Sequence, residues 1–178
     1  MSILITLTVH RPQASPTTKD VSYTDPSKEP IEPKTDELQA LIYTLVAGTS
    51  SNLIGVGVFT HLYDLGDRRV RKGPAPDLDN LDLAIKPVRR EGESHSHLGD
   101  YPRVIKCLAK ENLFVDLKYA PHGHVESCLK SHCDTSEECR IRFAQEVIEA
   151  AVFIDSRGII HSDLAACQFL LNDTLHVD

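Results

Sequence analysis

The chain has 178 residues, of which 41% are hydrophobic and 25% charged, a composition that fits a soluble globular protein and excludes collagen-like, coiled-coil and wholly disordered architectures. Asp and Glu number 26 against 19 Lys and Arg, and the formal charge of −7 argues against nucleic acid or a membrane surface as partner. Five cysteines without a framework spacing (Cys107, Cys128, Cys133, Cys139 and Cys167) suit a reducing, intracellular and cytoplasmic setting rather than a secreted disulfide scaffold.

In chain order, Met1–Val9 is apolar but has no basic residue before it and is too short to cross a bilayer, so neither a signal peptide nor a membrane span is expected there. Residues 1–37 read as a flexible tail, because Pro12, Pro16, Pro26, Pro30 and Pro33 stand among polar residues with almost no large apolar side chains. Structure is expected from Leu38 on, where Leu41, Ile42, Tyr43, Leu45 and Val46 fit a helix or a strand equally well. Leu53–Tyr63 reads as two extended segments with Gly55 and Gly57 at the bend, followed by a short strand over Arg68–Lys72 and a loop from Gly73 to Asp79.

A helix is predicted from Val88 to Leu98, after Pro87 and before the stop at Gly99–Pro102, with His95 and His97 on a solvated face. Val104–Leu108 and Leu113–Tyr119 read as paired strands joined by a turn at Ala109–Asn112. The clearest helix spans Ser136–Ser156, where Ile141, Ala144, Val147, Ile148, Ala151 and Ile154 recur at helical spacing, and Gly158 ends it. Short strand-like runs at Ile159-Ile160 and Phe169–Leu171 then flank His161-Ser162-Asp163.

This order resembles the protein kinase family: a glycine-rich turn, a strand lysine, a helix glutamate, a strand pair, a long helix and then His-x-Asp. The resemblance runs from about Asn52 to the end of the chain. Its sharpest part is His161-Ser162-Asp163-Leu164-Ala165-Ala166-Cys167-Gln168, similar to the kinase catalytic loop H-R-D-L-x-x-x-N. The fold implied is α+β: a β-rich N-terminal lobe over 38–118, a hinge over 119–123, and the first helix and catalytic loop of an incomplete helical C-terminal lobe over 124–178.

The resemblance also implies roles. Asp163 would be the catalytic carboxylate, and Gln168 would stand in for the asparagine that helps hold Mg2+, with its amide oxygen one methylene further out. Gly55-Val56-Gly57-Val58-Phe59 would cover the phosphates of ATP, with Thr60 in place of a third glycine. Two lysines compete for the phosphate anchor, Lys72 and Lys86. Spacing favours Lys72, 17 residues after Gly55 and 19 before its helix partner Glu91, with Glu93 as the fallback. Val70, Tyr119 and Ala120 would line the adenine site, where hinge main-chain groups bond the base and Lys118 stands where an acidic residue is common.

Ser162 replaces the arginine that pairs with a phosphorylated activation loop, so that form of switching is not expected. The resemblance places the magnesium-binding D-F-G beyond Asp178, which implies a truncated, impaired phosphotransferase with an exposed apolar patch on its long helix. Two other readings stay open. One is a pseudokinase-like module that binds ATP or docks a protein without transfer. The other is a small zinc domain built on His122, His124, Cys128, His132, Cys133 and Cys139, although that spacing matches no standard finger.

Overall fold

The computed structural model describes residues 7–8, 35–42, 44, 53–78, 80–132, 135–161 and 163–178. Strands β2 (Leu53–Val56), β3 (Thr60–Gly66) and β4 (Arg69–Pro74) form an antiparallel meander. Strands β5 (Cys107–Glu111) and β6 (Phe114–Lys118) complete a five-stranded sheet of order β2-β3-β4-β6-β5. A second, two-stranded sheet joins β1 (Leu7–Thr8) to β7 (Ile160–His161).

The turn from β3 to β4 places Gly66, Asp67 and Arg68 at φ 71°, 48° and 60°, so a glycine and two polar residues supply the left-handed conformations that a tight connection requires. Helix α1 (Thr35–Ile42) begins three residues before the expected boundary at Leu38. It buries Ile42 against Tyr63, Leu81, Ile85 and Leu113, which resolves the ambiguous run around Leu41 as helix for its described part. The rest of the expected tail lies outside the described residues, apart from Leu7 and Thr8.

Helix α2 (Leu81–Leu98) starts seven residues earlier than predicted and runs through Pro87. Proline removes the hydrogen bond that would reach the Leu83 carbonyl, and half-exposed Leu83 lies on the water-facing side, where solvent can satisfy that oxygen. The predicted strand at Val104–Leu108 is shifted: β5 takes in Ala109, Lys110 and Glu111, and the turn tightens to Asn112-Leu113. Helix α3 (Val125–Ser131) is too short to announce itself by periodicity. It is nucleated by His124, whose Nδ1 accepts the Ser127 N–H at 3.1 Å.

Helix α4 (Glu137–Ser156) is capped by Ser136, whose Oγ accepts the Cys139 N–H at 3.2 Å. Its buried face is Phe143, Glu146, Ala150 and Ile154, so most of the predicted apolar stripe turns away from the core. Ile141 and Ile148 are half or more exposed. The helix ends at Gly158, with φ of 69°. Phe169–Leu171 is not a regular strand; Leu170 and Leu171 form single bridges to His124 and Val177.

Two apolar clusters tie the sheet half to the helical half. Val88, Ile105, Val115 and Leu117 pack on Leu170, and Leu98 of α2 packs on Ile154 and Ile159. No described helix is long and apolar enough to cross a membrane.

Candidate active site

Cross-strand register decides which side chains share the inner face of the sheet. Val70 stands opposite Leu117, and Lys72 stands opposite both Leu62 and Val115. Opposed residues point to the same face, so Leu62, Val70, Lys72 and Leu117 form one row. Leu62, Val70 and Leu117 line a cleft of about 270 Å3, with Ile54 of β2, Ile105, Lys118, Tyr119, Ala120 and Leu170. Its size and mostly apolar walls suit a flat aromatic ligand, and Leu170 closes the side opposite the sheet.

Lys72 is the polar member of that row and is buried. Its Nζ is 2.5 Å from Glu91 Oε2, and both side chains are only 3% exposed. Burial pushes the Glu91 carboxyl up, and the charge and hydrogen bond of Lys72 pull it back. One turn further along α2, His95 is also buried, which corrects its expected place on a solvated face. Burial, reinforced by the positive charges of Lys72 and Lys110, pushes its pKa down to about 4. His97 does lie on the exposed side, with Nε2 2.9 Å from the Arg157 carbonyl oxygen.

Asp163 is exposed at the end of β7. Its N–H donates to His161 Nδ1 at 3.3 Å, and the His161 ring stacks on Phe169 with centroids 5.9 Å apart. Burial lowers the His161 pKa against the pull of Asp163. Gln168, on the 3-10 turn Ala166–Gln168, donates from Nε2 to Asp163 Oδ2 at 2.8 Å. Gln168 Oε1 is a buried acceptor without a hydrogen-bond partner among the described residues. Glu91 and His161 face one small cavity, which links the lysine-glutamate pair to the strand leading into Asp163.

Of the residues singled out for nucleotide binding, Val70, Tyr119 and Ala120 line the cleft. Gly55 and Val56 lie in β2, while Gly57, Val58 and Phe59 form the β2–β3 turn closed by a 2.8 Å bond from the Gly57 N–H to the Thr60 carbonyl. A Cβ at Gly57 would sit 3.0 Å from that carbonyl oxygen, the one glycine of the turn whose missing side chain is required by contact. These five residues and Lys72 are not part of the cleft wall, to which β2 contributes Ile54 instead. Sequence reasoning passed over Ile54, Leu62, Ile105 and Leu170; strand alternation was the available signal for Ile54 in β2 and Leu62 in β3 only.

The proposed zinc ligands do not assemble. Among the described residues no three His, Cys, Asp or Glu side chains are arranged to hold a metal; Cys133 lies outside them. His124 caps α3, and His132 Nδ1 lies 3.2 Å from the Cys128 carbonyl oxygen.

A sheet with a buried lysine-glutamate bridge and a neighbouring apolar cleft, followed by a long helix and a His-x-Asp motif, is the arrangement of a kinase-type domain. Residues 53–178 match the family model described as "Protein tyrosine and serine/threonine kinase", and the chain belongs to that family. Its sheet half is a kinase N-terminal lobe, and α3, α4 and the Asp163 loop are the start of a C-terminal lobe. Among relatives, the serine/threonine-protein kinase PKH2 of Saccharomyces cerevisiae is 28% identical over 97 residues, covering 52% of this chain and 9% of that protein. The human 3-phosphoinositide-dependent protein kinase 1 is 30% identical over 94 residues, covering 51% of this chain and 17% of that protein. The chain therefore matches less than a fifth of the length of either relative.

Proposed function

We propose that the cleft binds ATP and that the chain carries out protein kinase-type transfer of the γ-phosphate to a protein hydroxyl. The observation that carries this reading is the buried Lys72–Glu91 pair, set on the same sheet face as the cleft wall. An ammonium held in a dry interior needs a strong reason to be there, and anchoring phosphates is the one this fold offers. Tyr119–Gly123 is the hinge, whose main-chain groups would bond the adenine edge, and the β2–β3 turn with Gly55, Val56, Gly57, Val58 and Phe59 covers the phosphates.

Asp163 accepts the proton of the acceptor hydroxyl as its oxygen bonds to the γ-phosphorus and the bridging P–O bond breaks to release ADP. The orphaned Gln168 Oε1, beside the Asp163 carboxylate, fits a cation that prefers oxygen ligands and keeps several waters. Mg2+ bound there would neutralise phosphate charge. No further step is assigned to the metal.

A second reading, binding without transfer, draws support from the Gln168 amide, which occupies Asp163 Oδ2. The two are separated by incubating the full chain with γ-labelled ATP, Mg2+ and a mixture of protein acceptors. Label transfer that disappears in Asp163→Asn supports the enzyme. Saturable ATP binding with no transfer supports the module, and absence of both contradicts the two readings together.

A further inference from the structure

We propose that Lys110 is a positioning residue, clamping α2 at Gly92 and Ser96 so that Glu91 stays on Lys72. The sheet register sets this up. Val115 of β6 stands opposite Lys72 of β4 on one side and opposite Lys110 of β5 on the other. Opposed residues share a face, so the two lysines flank buried Val115 in one row, their Cα atoms about 10 Å apart. Both reach α2.

Their contacts begin on consecutive residues. Lys72 Nζ meets the Glu91 carboxylate at 2.5 Å, and Lys110 Nζ donates to the Gly92 carbonyl oxygen at 3.2 Å. Lys110 Nζ also makes a close contact with Ser96 Oγ, which in turn donates to the Gly92 carbonyl at 3.1 Å. Three polar groups therefore close a ring on the helix backbone directly after Glu91. A Cβ placed on Gly92 would touch Lys110 Cβ and Cδ and Val115 Cγ2 at 3.7 Å, so the lysine stem and Val115 lie against the helix at this residue. The positive charges of both lysines reach His95, where they add to burial in lowering its pKa.

Apolar packing alone does not set the roll of α2. Val88 and Val115 hold the helix to the sheet, but that attraction has no direction. A roll about the helix axis would carry Glu91 off Lys72. Bonds on both sides of Val115 oppose it, one to a side chain and one to the main chain of the next residue. Lys110 does not line the cleft, so it acts through Glu91 and not on a ligand. Its bearing on phosphotransfer rests on the proposed function; the clamp itself does not.

The test is competitive acetylation of lysine amines, read by mass spectrometry on the full chain without nucleotide. Lys72 reacts only when its bridge opens, and Lys130, with a side chain 73% exposed, is the reference. Lys110→Met keeps the stem and removes the ammonium, and should raise Lys72 labelling about fivefold. Lys110→Arg restores donors and should return most of the protection. Amide exchange over residues 143–154 should keep its wild-type rate in both. Unchanged Lys72 labelling in Lys110→Met, or equal labelling in Lys110→Met and Lys110→Arg, overturns the inference. So does faster exchange over 143–154, which would signal general loosening. If Lys110→Met does not fold, Ser96→Ala removes the other half of the clamp and must show the same rise.

In the transfer assay with γ-labelled ATP, Lys110→Met should lower kcat about fivefold at unchanged adenosine affinity. A wild-type chain that transfers nothing defeats the phosphotransfer reading and leaves the labelling result standing. Raised labelling with unchanged kcat removes Lys110 from the positioning role.

Discussion

Lys72 and Glu91 illustrate how a buried ion pair constrains a fold without adding much to its stability. Removing one partner leaves the other charge in a dry interior, so Glu91→Ala should cost about 3–5 kcal/mol, read from urea unfolding. The double replacement Lys72→Met/Glu91→Leu should recover most of that loss while abolishing ATP binding. A double variant no more stable than Glu91→Ala would mean the pair is not buried as described.

His95 has its own signature. Its folded pKa of about 4 lies below the usual value, so the stability it permits is present above about pH 6.5 and is lost as pH falls toward 4. Glu91, raised by burial, titrates with the opposite sign, so the comparison must be made within a pair of proteins. His95→Leu should flatten the decline of Tm between pH 6.5 and 4.5, worth on the order of 2–3 kcal/mol at the acid end. An unchanged slope would place the imidazole in water. The roles proposed for Lys72 and Glu91 could be drawn from spacing within a family resemblance. The burial of His95 could not, although Val88, Glu91, His95 and Leu98 follow one helical face, because two of those four residues are polar.

At the level of elements, α4 shows where periodicity misleads. Its apolar residues cover more of the helix than its core face, so the pattern marked a helix without fixing which side is buried. Phe143, 2% exposed, should cost about 3–5 kcal/mol on replacement by alanine. Ile141→Glu, on the half-exposed side, should change stability by less than about 0.5 kcal/mol. Reversal of those two effects in thermal unfolding would invert the assignment.

The Ser136 cap should contribute about 1 kcal/mol to the same helix, lost in Ser136→Ala. The start of α2 was misjudged for a different reason. Proline is a strong local stop, and the packing of Leu81 and Ile85 against the sheet and α1 carries the helix through it.

Across the whole molecule, the sheet and helical halves meet through Leu170 and Leu98, and also through a buried carboxylate. Glu146 of α4 receives the Val177 N–H at 2.9 Å, the Arg103 guanidinium at 3.3 Å and a close contact from His176 Nδ1. Burial raises its pKa, but these partners together outweigh burial and hold the carboxyl below its usual range. The support it gives is therefore present at neutral pH and lost as pH falls through that lowered value.

This meeting of Arg103, Glu146 and His176 is long-range, and nothing in local sequence pattern announces it. The order of most elements was legible from their periodicity or turn chemistry, whereas α3 carries too few residues for either. What brings Val70, Leu117 and Leu170 around one cleft is tertiary packing, which no local pattern announces.

The central claim is that this crevice receives the adenine of ATP on its hinge side. Calorimetric titration of magnesium-ATP into the full chain tests it most directly. One saturable site competed by adenosine is the predicted result. A chain that is folded by circular dichroism yet takes up neither ATP nor adenosine would contradict it.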